Sequence, residues 1–269
     1  MTTKIESIPS NQRSPSQEAP RFNPSIRKIF DVGRLYLDLI YPPSCLICSG
    51  ELPNLRSIDL CSSCLDAMQG DNRHWCRKCG MPKEPHRADK RTCTQCAKQS
   101  FAFDDVIIWG QYQGVLREAV IAGKKQFHEP LTMTMGRLLA DRIAEEQVVL
   151  PDVITFVPSH WRRRFGRRTV PSATLAKPVG RRLRRPVKQI LRPVRATAKQ
   201  AMLPAAERSR NISGAFAVRK RYRCEGKHVL VVDDVMTTGA TFNEIAGVLK
   251  RAGAASVCVA ATARGTGIS

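Results

Sequence analysis

The sequence predicts an α/β protein: a doubly wound, mostly parallel sheet, preceded by a small N-terminal domain organised by cysteines. Three observations carry this. From residue 105 onward, short β-branched apolar runs alternate with segments whose apolar residues recur at helical spacing. One such run, Val229 to Val232, ends in two carboxylates and a Thr/Gly-rich turn, Asp233 to Thr241, before a helical segment from Phe242 to Arg251. Between residues 45 and 96 stand four Cys-x-x-Cys pairs.

Taken in order, residues 1–28 mix Ser, Pro, Gln, Asn and Arg without an apolar core. They read as a disordered leader rather than a secretory signal. Ile29 to Ile40 has apolar residues near helical spacing until Tyr41-Pro42-Pro43 stops it. This helix and the cysteine region make a first domain, 29–100, and residues 101–269 a second.

The cysteine pairs are Cys45/Cys48, Cys61/Cys64, Cys76/Cys79 and Cys93/Cys96, with 12 residues between the first two pairs and 13 between the last two. A two-residue spacer lets both thiolates of a pair meet one tetrahedral ion, and two pairs close a four-thiolate site. Two zinc ribbons in tandem, holding two ions, is the economical reading. The intervening residues are rich in Lys, Arg, Pro and Ser and poor in core residues, so metal supplies what the domain folds around. Consecutive and interleaved pairing both remain open, and redox-active thiols are the competing reading. Such cysteines without an export signal point to a reducing, cytoplasmic setting. His74 and His86 read as surface residues, since eight thiols already fill two sites.

In the second domain, Asp105 to Gln113 reads as a strand and Gly114 to Ala122 as a helix burying Leu116, Ala119 and Val120. Leu131 to Ala144 is a second helix, Val153 to Val157 a strand closed by Pro158, and Ser172 to Leu183 a third helix. Val187 to Leu191, Val229 to Asp233 and Ser256 to Ala261 complete the strands.

The chemistry concentrates at Asp233 to Thr241. Ligands of open α/β sheets sit beyond the carboxyl ends of strands, where a Gly-containing loop and a helix N-terminus offer N–H groups to phosphate oxygens. Thr237, Thr238 and Thr241 add hydroxyls, Gly239 and Ala240 leave the backbone open, and Asp233 and Asp234 suit sugar hydroxyls. That combination fits a phosphorylated ribose. An ordinary strand-end turn with a helix cap is the plainer alternative.

Lys and Arg number 44 against 23 acids, a formal net charge of +21, which predicts anionic partners. No run of about 18 apolar residues exists to span a bilayer. From Val153 to Ala206 there is no acid at all. Arg162, Arg163, Arg164, Arg167 and Arg168 crowd one loop, and Arg181, Arg182, Arg184 and Arg185 crowd the end of a helix. A pyrophosphate needs two or three cations; an extended basic surface suits a nucleic-acid backbone, with a merely solvated face as the alternative. Trp161 offers either a base platform or a buried anchor for its loop.

Val-Val-Asp-Asp-Val-Met-Thr-Thr-Gly-Ala-Thr closely resembles the phosphoribosyl-pyrophosphate (PRPP) motif of type I phosphoribosyltransferases. Together with the four cysteine pairs, the layout from Tyr41 onward resembles the ComF family of competence-associated, GntX-like proteins. Tyr112-Gln113-Gly114 with Leu116-Arg117-Glu118 and Lys124 looks like that family's first strand-helix segment and its basic residue. Val157-Pro158 with His160 resembles its pyrophosphate loop, and Gln200, Glu207-Arg208, Asn211 and Gly214-Ala215-Phe216 its segment folding over the site. One stretch departs: the family's Arg-Gly-Phe-Asn-Gln is Arg167-Arg168-Thr169-Val170-Pro171 here, and Met236 replaces an aromatic.

The resemblance implies a phosphoribosyltransferase-like domain behind a double zinc ribbon. It also implies a protein that engages single-stranded DNA and supports DNA uptake, with the ribbons free to dock a helicase or uptake partner. The alternative is a PRPP-dependent enzyme acting on an unidentified acceptor. There Asp233, Asp234 and Lys124 would be catalytic, Mg²⁺ would accompany PRPP, and Lys124 with the Arg162 to Arg168 loop would stabilise the leaving pyrophosphate.

Overall fold

The computed structural model describes residues 42–52, 58–70, 74–83, 93–96, 99–125, 128–146, 149–158, 170–195 and 210–265. The predicted leader, the helix from Ile29 to Ile40, and His86 lie outside the described residues. Ser44–Ser269 forms one compact unit.

The centre is a parallel sheet of four strands in the order β1, β6, β5, β2: β1 is Asp105–Gln111, β2 Val153–Phe156, β5 His228–Met236 and β6 Ser256–Arg264. Alternate residues of each strand point to opposite faces, and here both sets are apolar. Ile107, Trp109, Leu230 and Val232 belong to one core cluster. Val106, Ile108, Val229 and Val231 belong to the other.

The first face is covered by α2 (Gly114–Gly123), α3 (Glu129–Glu145) and α4 (Pro171–Leu183). The second is covered by α5 (Ala240–Arg251), through Phe242, Ile245, Ala246 and Leu249. Helices on both faces make the sheet doubly wound, as its periodicity predicts. Among the described residues no helix is long and apolar enough to cross a membrane.

Two predicted strands need correction. Val187 to Leu191 is not one strand. Val187 makes a single parallel bridge to Ile154, and the Ile190 N–H then turns to the Lys188 carbonyl at 3.0 Å instead of continuing the ladder. Leu191–Pro193 (β3) instead pairs antiparallel with Phe216–Val218 (β4), which three residues of sequence were too short to signal.

The strand carrying the acids also runs further than predicted, to Met236, because Asp233, Val235 and Met236 keep their register with Ala261, Ala263 and Arg264 of an equally extended β6. The helix after the loop begins at Ala240, two residues earlier than its apolar periodicity indicates.

The cysteine region is less poor in core residues than its composition suggests. Leu52, Leu60 and Met68 are buried in the first core cluster, and Trp75 in the second. Met68 lies on α1, Ser62–Gln69, a helix that its short run of apolar residues does not announce. The cysteine region therefore packs against both faces of the sheet at its β1 side. The Arg77 carbonyl accepts the Val106 N–H at 3.0 Å, capping an edge strand that would otherwise offer unpaired backbone groups.

Candidate functional site

Each predicted cysteine quartet is gathered in consecutive order. Cys45, Cys48, Cys61 and Cys64 have their sulfurs within 4.8 Å of one another, and so do Cys76, Cys79, Cys93 and Cys96. This closes the interleaved alternative. Sequence local to each first pair explains the geometry. Cys45 N–H donates to Gly50 O, and Cys76 N–H donates to Met81 O, both at 2.8 Å, forming matching tight turns. Ser49 and Gly80 follow their pairs in the left-handed region, at φ 60° and 69°.

The sulfur separations fit a metal. Four thiolates about 2.3 Å from one tetrahedral ion stand about 3.8 Å apart; Cys48–Cys61, Cys76–Cys96, Cys79–Cys93 and Cys93–Cys96 are 3.7, 3.5, 3.6 and 3.6 Å apart. An all-sulfur tetrahedral donor set suits zinc. In each quartet one thiol already favours its charged form. The Cys79 thiol beside Cys76 draws Cys76 down to about 4 against the opposing effect of burial. Burial works to raise Cys45, but backbone N–H groups led by that of Cys48 bring it to about 6. Other members, Cys64 and Cys79 among them, are pushed up. His74 is exposed.

The second site assembles at the carboxyl end of β5. Asp233 and Asp234 are half-buried within the strand's last turn of ladder. Lys124, just past the C-terminus of α2, places its Nζ 2.9 Å from Asp234 Oδ2. What fixes Lys124 is its neighbour Gly123, whose carbonyl accepts the Thr132 hydroxyl at 3.1 Å; a Cβ there would come within 2.6 Å of Thr132 Oγ1. Burial works to lower the Lys124 pKa, but Asp234, then Asp233, outweigh it and the net shift is upward. Burial pushes the Asp233 carboxyl well above the usual carboxylate range, and the adjacent Asp234 charge adds to the push.

From these acids the chain turns through Thr237, Thr238 and Gly239 into α5. Gly239 is the N-cap at φ 81°, and a Cβ there would lie 2.7 Å from Met236 Cε. With glycine at the cap, no N-cap side chain bonds the first-turn N–H groups. Among the described residues, the Ala240 N–H makes a long 3.4 Å contact to Thr238 Oγ1. Ala240 and Thr241 thus open a helix whose N-terminal dipole and N–H groups can receive an anion. Lys124, Asp233, Asp234 and residues 237–241 are brought to one end of the sheet.

Trp161, Arg162, Arg163, Arg164, Arg167 and Arg168 lie outside the described residues, as do His160, Thr169, Gln200, Glu207 and Arg208. The flanks of the arginine segment are described. Ser172 Oγ donates to Val157 O at 2.7 Å, so the chain leaves and returns at the carboxyl end of β2, beside β5. Pro171 occupies the first turn of α4, where a missing N–H costs little. Arg181 and Arg184 are exposed, and Arg182 pairs with Asp141 at 2.8 Å. Gly214 N–H donates to Glu244 Oε1 at 3.0 Å, joining the Gly214-Ala215-Phe216 segment to α5.

One residue was missed. Arg264 ends β6, and its side chain is buried between the second cysteine quartet and Thr237. The only sequence signal was a charge closing the apolar strand ahead of Gly265.

The chain is similar to known proteins along most of its length. Residues 36–99 match a double zinc ribbon domain, and residues 172–267 a phosphoribosyl transferase domain. DNA utilization protein YhgH of Escherichia coli O6:H1 is 32% identical over 230 residues, covering 82% of this chain and 96% of that protein. Competence protein F of Haemophilus influenzae is 29% identical over 226 residues, with the same coverage of both chains. A solved structure of glutamine phosphoribosylpyrophosphate amidotransferase from B. subtilis, complexed with ADP and GMP, is 27% identical over 48% of this chain and 25% of that one, with a TM-score of 0.34. A double zinc ribbon joined to a phosphoribosyltransferase-type domain, and a DNA utilization protein 32% identical matched over 96% of its length, place the chain in the ComF family.

Proposed function

We propose that this protein binds PRPP, or a closely related phosphoribosyl ligand, at Asp233, Asp234 and residues 237–241. We further propose that it engages single-stranded DNA in the cytoplasm in support of DNA uptake and use. The observation that carries the ligand reading is the convergence of Lys124, the two acids and the Gly239-capped helix at one end of the sheet. The acids would accept the ribose hydroxyls, the loop and the start of α5 would hold the 5′-phosphate, and Lys124 would meet the pyrophosphate. Mg²⁺ carried by the pyrophosphate is a hard cation, for which carboxylate oxygens are suitable donors.

The DNA reading rests on the net charge of +21, on the acid-free stretch from Val153 to Ala206, and on the name of the relatives, DNA utilization protein. The residues flanking the arginine segment, Val157 and Ser172, meet at the carboxyl end of β2, from which the arginines of residues 162–168 would extend a basic surface. The ribbons would serve a helicase or uptake partner.

Calorimetry of the zinc-loaded full chain with PRPP and Mg²⁺ tests the ligand reading. Saturable binding, lost when Asp233→Asn and Asp234→Asn are combined, is expected. Heat changes equal to buffer dilution at millimolar PRPP would overturn it.

The second reading is a phosphoribosyltransferase, favoured by a cation and two carboxylates within one site. Its test is PRPP-dependent pyrophosphate release in the presence of candidate acceptor bases, abolished by the same double substitution. Failure of every acceptor tried to yield pyrophosphate would count against it.

A further inference from the structure

Arg264 joins two sites that the sequence keeps far apart. It is the last residue of β6, in register with Gln111 of β1 and Met236 of β5, and is only 6% exposed. Its Nε donates to the carbonyl of Cys79 at 3.2 Å. One terminal nitrogen donates to the carbonyl of Met236 at 3.1 Å, and the carbonyls of Thr237 and Gly265 lie against the same nitrogen. A single guanidinium therefore holds the second cysteine knuckle on one side and, on the other, Met236, the residue from which the loop at Thr237 starts.

The packing around it leaves little slack. A Cβ on Gly80, directly after Cys79, would lie 2.9 Å from Ile108 Cγ1 and 3.4 Å from Arg264 Cδ, so the knuckle sits flush on β1 and on the arginine stem. On the other side, the Gly265 N–H donates to Met236 O at 2.9 Å, and Met236 fills the space a side chain at Gly239 would take.

Charge gives the arrangement its direction. Among the described residues no carboxylate pairs with Arg264, and a buried cation needs a counter-charge. Four thiolates around a divalent zinc carry a formal charge of about −2, and the arginine stands against that quartet. Emptying the quartet would free the Cys79 carbonyl, and with it the Arg264 Nε it holds, to move.

We propose that Arg264 is a positioning residue that couples metal occupancy of the Cys76/Cys79/Cys93/Cys96 site to the conformation of the phosphate loop, Thr237 to Gly239. It follows that ligand held in that loop and metal held in that ribbon stabilise each other, reciprocally. The ligand half of this rests on the phosphoribosyl reading; the loop half does not. The first ribbon is not part of the link: its Asp59 accepts from Arg137 of α3 at 3.1 Å, away from the loop.

The test uses the zinc-loaded full chain, Arg264→Gln and Arg264→Lys, with two readouts. One is hydrogen exchange at the amides of 237–239. The other is alkylation of each cysteine quartet under chelator, resolved by peptide mass. Losing charge-assisted bonds of this kind should speed loop exchange and second-quartet alkylation about tenfold in Arg264→Gln, and less in Arg264→Lys. First-quartet alkylation should be unchanged. Retained protection at Val229 to Val232 shows that the sheet is intact.

In the wild type, Cys93→Ser with Cys96→Ser should speed loop exchange to the same degree, with no further effect in the Arg264→Gln background. Loop exchange indifferent to Arg264, additive effects of the two changes, or both quartets loosening together would each overturn the coupling. PRPP should slow second-quartet alkylation in the wild type and leave Arg264→Gln unaffected. If PRPP binds by calorimetry without slowing it, the ligand half is wrong. If PRPP does not bind, the phosphoribosyl reading fails while the exchange result still decides the loop coupling.

Discussion

Lys124 and Asp234 form an ion pair of 2.9 Å between the end of a helix and the end of a strand, far apart in the chain. The lysine neutralises one of two acids that stand side by side in the chain. Removing it leaves both carboxylates without their cation. Because the pair is partly solvated, Lys124→Ala should cost about 1 kcal/mol at neutral pH, well below the cost of breaking a fully buried pair. Thermal melts of Lys124→Ala, Asp234→Asn and the double variant form the check, with a non-additive cycle expected.

Asp233 carries a pH signature. Burial and the Asp234 charge raise its pKa in the folded protein above the unfolded value, so the folded state binds more protons in that window. Its contribution to stability is full below the ordinary carboxylate range and is lost as pH rises through the raised value. Asp233→Asn should therefore increase the melting temperature of the ligand-free protein at pH 7, flatten the stability profile on the alkaline side of about pH 4, and abolish PRPP binding. An unchanged profile in the variant would assign the pH dependence elsewhere.

Gly239 is constrained twice, by its left-handed backbone and by Met236. Gly239→Ala should destabilise the protein by about 1–2 kcal/mol and weaken phosphoribosyl binding more than the melting temperature alone would suggest. Met236→Ala in the same background should restore part of the binding, because it removes the steric conflict while the backbone strain remains. Urea melts and calorimetry on the same samples separate the two effects.

Two zinc ions per chain are expected by elemental analysis. Metal capture releases protons from the thiols still protonated at neutral pH, so apparent affinity should fall steeply as pH drops from about 7.5 to about 5.5. The thiols lowered to about 6 and about 4, Cys45 and Cys76, should be the last to be protonated. Chelation should also deprotect the Val106 amide, which is held by Arg77 of the second knuckle, and promote association through the bared β1 edge.

For the DNA reading, filter binding should show affinity for single strands that falls steeply with salt. Replacing Arg162, Arg163 and Arg164 by Ala should weaken it and reduce the salt slope by about one for each phosphate no longer neutralised. Binding that is indifferent to salt would leave the basic stretch as a solvated surface.

The sequence by itself determined the parts whose chemistry is local. Paired cysteines two residues apart, a β-branched run ending in Asp233 and Asp234, and helical spacing through Leu116, Ala119 and Val120 each encode their geometry within a few residues. The double zinc ribbon, the parallel sheet and the strand–acid pair–loop–helix order around Asp233 and Asp234 were therefore legible.

What only the tertiary structure decided depends on meetings across long separations. These include consecutive rather than interleaved sulfur pairing, the extension of β5 to Met236 by its register with β6, and the packing of the ribbons against both faces at β1. Arg264 is the clearest instance. A single arginine at a strand end has no periodicity and no motif, and it meets both sides only because the fold brings the Cys79 and Met236 carbonyls within reach of one guanidinium.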